Sequence, residues 1–206
     1  MIGMVKSTRT KRDREDILAE GFKLLSRQGY NGTGLKQILD SVQIPKGSFY
    51  HYFKSKEYFV AEVIENYIDR LLTHFDQHLE KSDENPIQSI KTLYQLLIDE
   101  FQRTQCTQGC LIGGLTAELG GQSKPLQRAM QHGYSQWADR FQALVTVAQN
   151  QNLIRSDLSA EEITEMFWCT WEGAILRMKM TGSTDALNRI LLITLETLLK
   201  PQDRES

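Results

Sequence analysis

LKQILDSVQIPKGSFYHYFKSK, residues Leu35 to Lys56, reads as two short helices joined by a tight turn, the second basic and rich in aromatic side chains. Leu35, Ile38, Leu39 and Val42 recur at spacings of three and four, which puts them on one helical face. Lys36, Gln37 and Asp40 fall on the other. The pattern breaks at Gln43. Pro45 has no N–H to lose and a φ suited to a helix's first turn, while Ile44 before it is biased away from the helical region. Two helices joined this closely cross at a large angle, and Leu39, Val42, Ile44, Phe49 and Phe53 are the apolar groups available to fill the crossing. The second helix is left pointing outward.

What that helix displays suits a nucleic-acid duplex. Lys46 and Lys56 can neutralise phosphates, and Ser48 and Tyr50 can hydrogen-bond to phosphate or base edges. Gly47 lets the backbone approach the sugar-phosphate wall, and Tyr50 and His51 are the better placed to read bases. A short helix with a few cations is more often an ordinary solvated face. Proline, glycine and alternating aromatics within roughly two turns favour the DNA-reading alternative.

Charge is distributed to match. Residues 1–56 hold 11 Lys and Arg against 5 Asp and Glu, +6, whereas residues 57–206 hold 13 against 21, −8. The whole-chain value of −2 therefore conceals a basic head on an acidic body. The head supplies salt-dependent attraction to a duplex and the body is repelled from it. The run KSTRTKR at residues 6–12 fits either an arm toward phosphate or the minor groove, or a solubilising tail.

IPKGSFYHYFKSKEYF, from Ile44, resembles the recognition-helix signature of the tetracycline-repressor family of transcriptional regulators. The resemblance extends back through Ile17, Ala19, Phe22, Leu25 and Gly29-Tyr30, covering roughly the first third of the chain. Gln43 stands where a turn glycine is common, and Gly34 where Ser or Thr usually caps the second helix. Thr33, beside Gly34, is then expected to offer its hydroxyl to the helix or to a phosphate. The DNA-binding set is Thr33, Lys36, Lys46, Gly47, Ser48, Tyr50, His51 and Lys56. The resemblance implies repression, double-stranded DNA with a palindromic operator as partner, and the bacterial cytoplasm as compartment.

The rest reads as helix, so the fold class is all-α with about nine helices. A three-helix DNA-binding head with the helix-turn-helix is expected over residues 1–56, and an effector-sensing and dimerisation domain over 57–206. Helices are expected over about Lys56–Lys81, Pro86–Arg103, Cys110–Leu119 and Pro125–Asn150. Ser159 with Glu162 forms a capping-box pattern opening a helix to Met180 before Gly182, and Thr184–Lys200 is the last, stopped by Pro201. No apolar run approaches the roughly 20 residues of a membrane span, and no apolar core follows the N-terminal basic residues as in an export signal, so no membrane partner is expected.

The last two helices, about residues 159–200, carry surplus apolar surface: Ile190, Leu191, Leu192, Ile193, Leu195, Leu198 and Leu199 on one, and Phe167, Trp168, Trp171, Ile175 and Met178 on the other. The alternatives are the monomer's own core and a subunit interface. In the resembled family these helices form a four-helix bundle with their symmetry mates, which would present two recognition helices to a palindrome.

Cys106, Cys110 and Cys169 are an odd set without the spacing of a disulfide framework. GCLIGGLTAELG, Gly109 to Gly120, resembles the corresponding region of the family branch that controls enzymes for N-ethylmaleimide and related electrophiles. In that branch a cysteine here is the sensor, and Cys110 is the matching position. A sensor thiol needs a cation nearby, with Lys179 or Arg177 as candidates; Cys106 is a resolving thiol or a bystander, and Cys169 a packing residue. The competing mode is a noncovalent apolar ligand among Trp137, Phe141, Tyr134, Trp168 and Trp171, oriented by Glu118, Arg140 or Glu172. An aromatic core is the plainer reading.

A metal-dependent helical enzyme is the remote alternative. His74 and His78 have the spacing of helical metal ligands, but no third ligand accompanies them. His51 and His132 are isolated, and no phosphate cradle or nucleophile elbow appears. No catalysis, cofactor or resident metal is expected.

Overall fold

The computed structural model describes residues 2–81 and 85–201, with the side chains of all but 2–13, Lys46 and Lys81. Among the described residues the fold is all-α, as expected, with nine α-helices: α1 Ile2–Gly32, α2 Leu35–Ser41, α3 Phe49–Tyr52, α4 Lys56–Lys81, α5 Pro86–Arg103, α6 Leu111–Leu119, α7 Lys124–Asn150, α8 Ala160–Thr181 and α9 Asp185–Ile193. Two compact units emerge, one of Met1–Arg70 with Cys110–Tyr134, the other of Leu71–Gly109 with Ser135–Ser206.

Local signals account for most of the boundaries. Asn85 accepts the Ile87 and Gln88 amides at 3.1 and 3.0 Å, and Pro86 occupies the first helical position, where a missing N–H costs nothing. Ser159 and Glu162 form the reciprocal capping box at the start of α8, with the serine hydroxyl accepting the Glu162 amide and the glutamate accepting the Ser159 amide. The Ser159 amide and, at 2.8 Å, the Ser159 hydroxyl both donate to the Glu162 carboxylate and hold it below its ordinary pKa. Gly120 and Gly182 close α6 and α8 in the left-handed conformation. The final helix departs from a uniform α form: beyond Ile193 the backbone widens into a π turn over Thr194–Leu198.

In the first unit Ile17, Leu18, Leu25, Ile38, Leu39, Phe49, Phe53 and Phe59 are buried. Phe49, Phe53 and Phe59 form a ring cluster with centroids 4.9–5.7 Å apart. A Cβ on Gly21 would lie 2.4 Å from the Phe59 ring, so α1 and α4 approach as closely as a glycine permits. Arg14 pairs with Glu62 and lies over the Phe53 ring at 5.4 Å. In the same unit α6 packs on α1, and Gly133 of α7 sits tightly against Ile112 and Ile68.

The second unit is organised around Tyr94. Its ring meets Phe167 at 4.8 Å and Trp171 at 4.6 Å, both edge to face, and its hydroxyl accepts the Trp137 indole N–H at 3.0 Å. Phe141 stacks on Phe167 and on Trp137, at 4.6 and 5.2 Å. Edge-to-face and offset pairs satisfy the ring quadrupoles while removing large apolar area from water.

Candidate functional site

The helix-turn-helix forms where the sequence places it, with a compact second helix. Pro45 opens a 3-10 turn, Lys46–Ser48, which passes directly into the single α-turn of α3. Leu39, Phe49 and Phe53 fill the crossing and are buried; Val42 and Ile44 are half-buried. Gln43 takes φ +57°, the left-handed conformation a glycine would adopt without strain. The turn therefore tolerates the unusual residue at an energetic cost.

Lys36, Gly47, Tyr50 and His51 are exposed and Ser48 is half-buried. A Cβ on Gly47 would meet nothing within 4 Å, so the surface there is open. Tyr50 is 66% exposed and braced edge-on by Phe49, a rigid aromatic projecting from a fixed base. Lys36 comes within 4.0 Å of Asp40 one turn on, a loose surface pair. The Lys46 side chain lies outside the described residues, as do those of the 6–12 run, whose backbone belongs to α1.

Two of the expected phosphate donors face inward. Thr33 is fully buried and donates its hydroxyl to the Gly29 carbonyl at 2.6 Å, so it presents nothing to a duplex. The Lys56 ammonium donates to the Tyr30 carbonyl at 2.5 Å and sits 4.1 Å from that residue's ring centroid. Partial burial lowers its pKa, and the Glu118 charge opposes the shift. Both residues build the base of the reading unit. Lys54, unremarked in the sequence, is exposed, its ammonium 5.6 Å from the ring centroid of exposed Tyr58.

Glu118 is also reassigned. Rather than orienting a ligand, its two oxygens accept the Tyr30 and Asn31 amides, each at 2.7 Å. Arg140 donates to the Asp76 carboxylate from two nitrogens, Nε and Nη2, at 3.2–3.3 Å. Trp137, Phe141 and Trp171 are buried against one another and their neighbours, which makes them core; Trp168 is half-buried, 4.8 Å from Trp137. Tyr134 falls in the other unit.

The three cysteines occupy different environments. Cys110 is half-exposed and caps α6 with its thiol, whose Sγ accepts the Gly113 amide at 3.4 Å. Cys106 is buried in the turn after α5, with φ +57°. Cys169 is exposed, correcting its expected packing role, because helical rotation turns it outward between half-buried Trp168 and buried Trp171. Lys179 packs against Gly109, where a Cβ would come within 3.2 Å of its ammonium nitrogen. Among the described residues no group of three His, Cys, Asp or Glu could hold a metal ion, and no helix is long and apolar enough to cross a membrane.

The surplus apolar surface of the last two helices separates into two sets. Phe167, Trp171, Ile175, Met178, Leu191, Leu195 and Leu199 are buried within the chain itself. Exposed instead are Leu176 (65%), Met180 (78%), Leu192, Ile193 and Leu198.

Comparison with known proteins agrees with this architecture. Residues 17–63 match the model described as bacterial regulatory proteins, tetR family, and residues 86–193 that of the tetracyclin repressor-like C-terminal domain. The chain is 30% identical over 186 residues to the HTH-type transcriptional repressor DhaR of Mycobacterium sp. (strain GP1), covering 90% of this chain and 92% of the relative. It is 31% identical over 179 residues to the repressor NemR of Escherichia coli (strain K12), covering 86% and 89%. Among solved structures, regulatory protein TetR from Rhodobacter sphaeroides superposes with a TM-score of 0.82 at 29% identity over 87% of this chain and 95% of that one. The reduced form of E. coli NemR gives 0.81 at 27% identity over 89% and 95%. The chain thus belongs to the tetracycline-repressor family: it is a DNA-binding transcriptional regulator, not an enzyme.

Proposed function

We propose that this regulator acts in the bacterial cytoplasm as a two-fold dimer that represses from a palindromic operator and lets go when an electrophile or oxidant reacts at Cys110. Residues 1–56 form the DNA-binding head in this reading and 57–206 the sensing and dimerisation part. Lys36, Lys46, Gly47, Ser48, Tyr50 and His51 face the duplex, with Tyr50 and His51 at base edges.

One observation carries the sensing step: the Cys110 thiol caps a helix and is half-exposed. The peptide dipoles of α6 place partial positive charge at this end, which favours the thiolate, the form that attacks electrophiles. With N-ethylmaleimide the sulfur adds to one alkene carbon, and the proton lost from the thiol is matched by one gained at the other. The bulky adduct disturbs the cap and the first turn of α6. NemR, whose reduced form is among the solved structures, is similar over most of this chain, which supports a thiol-based reading.

The dimer reading rests on Leu176, Met180, Leu192 and Ile193, apolar groups left exposed on α8 and α9. Such a patch covers itself most simply against a second copy. The test is footprinting of the full-length protein on its own upstream DNA, with and without N-ethylmaleimide, beside mass spectrometry of the treated protein. Protection of two symmetric half-sites, lost as the Cys110 peptide gains the adduct mass, is the expected result. An asymmetric single site argues against the dimer, and retained protection on fully modified Cys110 argues against the sensor.

A further inference from the structure

We propose that Glu118 is a positioning residue for operator recognition: by gripping the Tyr30 and Asn31 amides, it fixes the turn that launches α2 and anchors the start of α4. The orientation of the recognition helix follows from that turn.

The turn begins at Gly29. Helix α1 breaks there at φ +71°, ψ −172°, a combination open essentially to glycine alone. The break removes the next two amides from the helical ladder, and buried or half-buried donors need a partner. Tyr30 is half-buried and Asn31 exposed, so water serves the second amide more readily than the first. The chain instead supplies a carboxylate from 88 residues away, with one oxygen for each amide. A Cβ at position 29 would stand 2.3 Å from the Glu118 Oε2, so the glycine is required for the grip as well as for the backbone turn.

The opposite side of the same turn is tied to the reading unit. The Gly29 carbonyl accepts the Thr33 hydroxyl just before α2 begins, and the Tyr30 carbonyl accepts the ammonium of Lys56, the first residue of α4. Residues 29–33 therefore form a joint in which α1, α4 and α6 share hydrogen bonds just before α2 begins. Glu118 is the penultimate residue of α6, where that helix's own dipole disfavours a negative charge. Its placement is locally unfavourable and is offset by the two amides and the nearby Lys56 cation.

The proposal depends on the family's DNA binding and not on sensing at Cys110, so its failure leaves that reading untouched. Full-length Glu118→Ala and Glu118→Asp are compared with the parent on two duplexes: one selected by the parent from a random pool, and a scrambled duplex of equal length. Loss of two charge-assisted hydrogen bonds at the joint is expected to weaken Glu118→Ala on the selected duplex by at least about tenfold. Affinity for the scrambled duplex, set by phosphate attraction, stays within about twofold. Glu118→Asp, one methylene shorter, falls between. Amide exchange at Tyr30 and Asn31 accelerates in both variants. A purely structural role would reduce the folded fraction without changing the ratio of the two affinities. An unchanged ratio, or unaltered exchange at those amides, overturns the proposal. If Glu118→Ala does not fold, Glu118→Asp decides by the same two readouts.

Discussion

The Gly29–Thr33 joint of the first unit and the Tyr94 cluster of the second hold their surroundings by different physics. The joint relies on directional hydrogen bonds to one carboxylate, one ammonium and one hydroxyl. The cluster relies on large rings packed edge to face and offset, with the Trp137–Tyr94 hydrogen bond among them. Packing of that kind supplies stability without dictating an angle to any distant element. Directional bonds contribute less stability and specify orientation, which is what a DNA-reading unit requires.

The largest effect is expected on the packed side. Phe167→Ala removes a fully buried ring and is expected to cost about 3–5 kcal/mol of unfolding free energy. Protein that remains folded should bind operator as the parent does, measured by denaturant titration beside DNA anisotropy at low temperature. Gly29→Ala is the converse. Forcing a side chain into that backbone conformation costs about 1–3 kcal/mol, and operator affinity should fall further than stability because the Cβ also displaces Glu118. Should Gly29→Ala destabilise the fold and leave operator affinity intact, the division between the two regions is wrong.

Smaller effects sharpen the picture. Asn85→Ala deletes the cap of α5 and should lower stability by about 1 kcal/mol without touching DNA affinity. Gln43→Gly relieves a left-handed residue in the reading turn. Its gain is offset by glycine's greater unfolded-state entropy, so thermal melting should show a net stabilisation of roughly 0.5 kcal/mol. The capping box at α8 adds a pH test. Glu162 is held below its ordinary pKa, so its contribution is present above the unfolded carboxylate value and fades as pH falls through the folded one. Glu162→Gln should flatten that part of the acid-unfolding curve.

Legibility in the sequence followed the range of the interaction. Asn85-Pro86, Ser159 with Glu162, and Gly182 act within one helical turn, so residue order alone places them correctly. The helix-turn-helix was readable for the same reason, with Pro45 and the spacing of Leu39, Phe49 and Phe53 all local. The partners of Thr33, Lys56 and Glu118 are not legible in this way, because each side chain could serve a group near or far and only the tertiary arrangement decides. Thr33 turns back to Gly29, Lys56 reaches Tyr30 across 26 residues, and Glu118 reaches the same turn across 88. Gly29 offered the one available signal, a glycine inside an otherwise continuous helical pattern. Apolar excess in the last helices was likewise visible as a total, but its division into Phe167 or Leu191 inside and Leu176 or Met180 outside depended on helix rotation.

The most direct measurement of the central claim is anisotropy of a labelled operator duplex titrated with N-ethylmaleimide-treated parent and Cys110→Ser protein. Cys169 is exposed in both and serves as an internal control for general thiol modification. The account predicts that the treated parent releases the duplex while treated Cys110→Ser, alkylated at Cys169, holds it with unchanged affinity. Equal release by the two proteins would contradict sensing through Cys110.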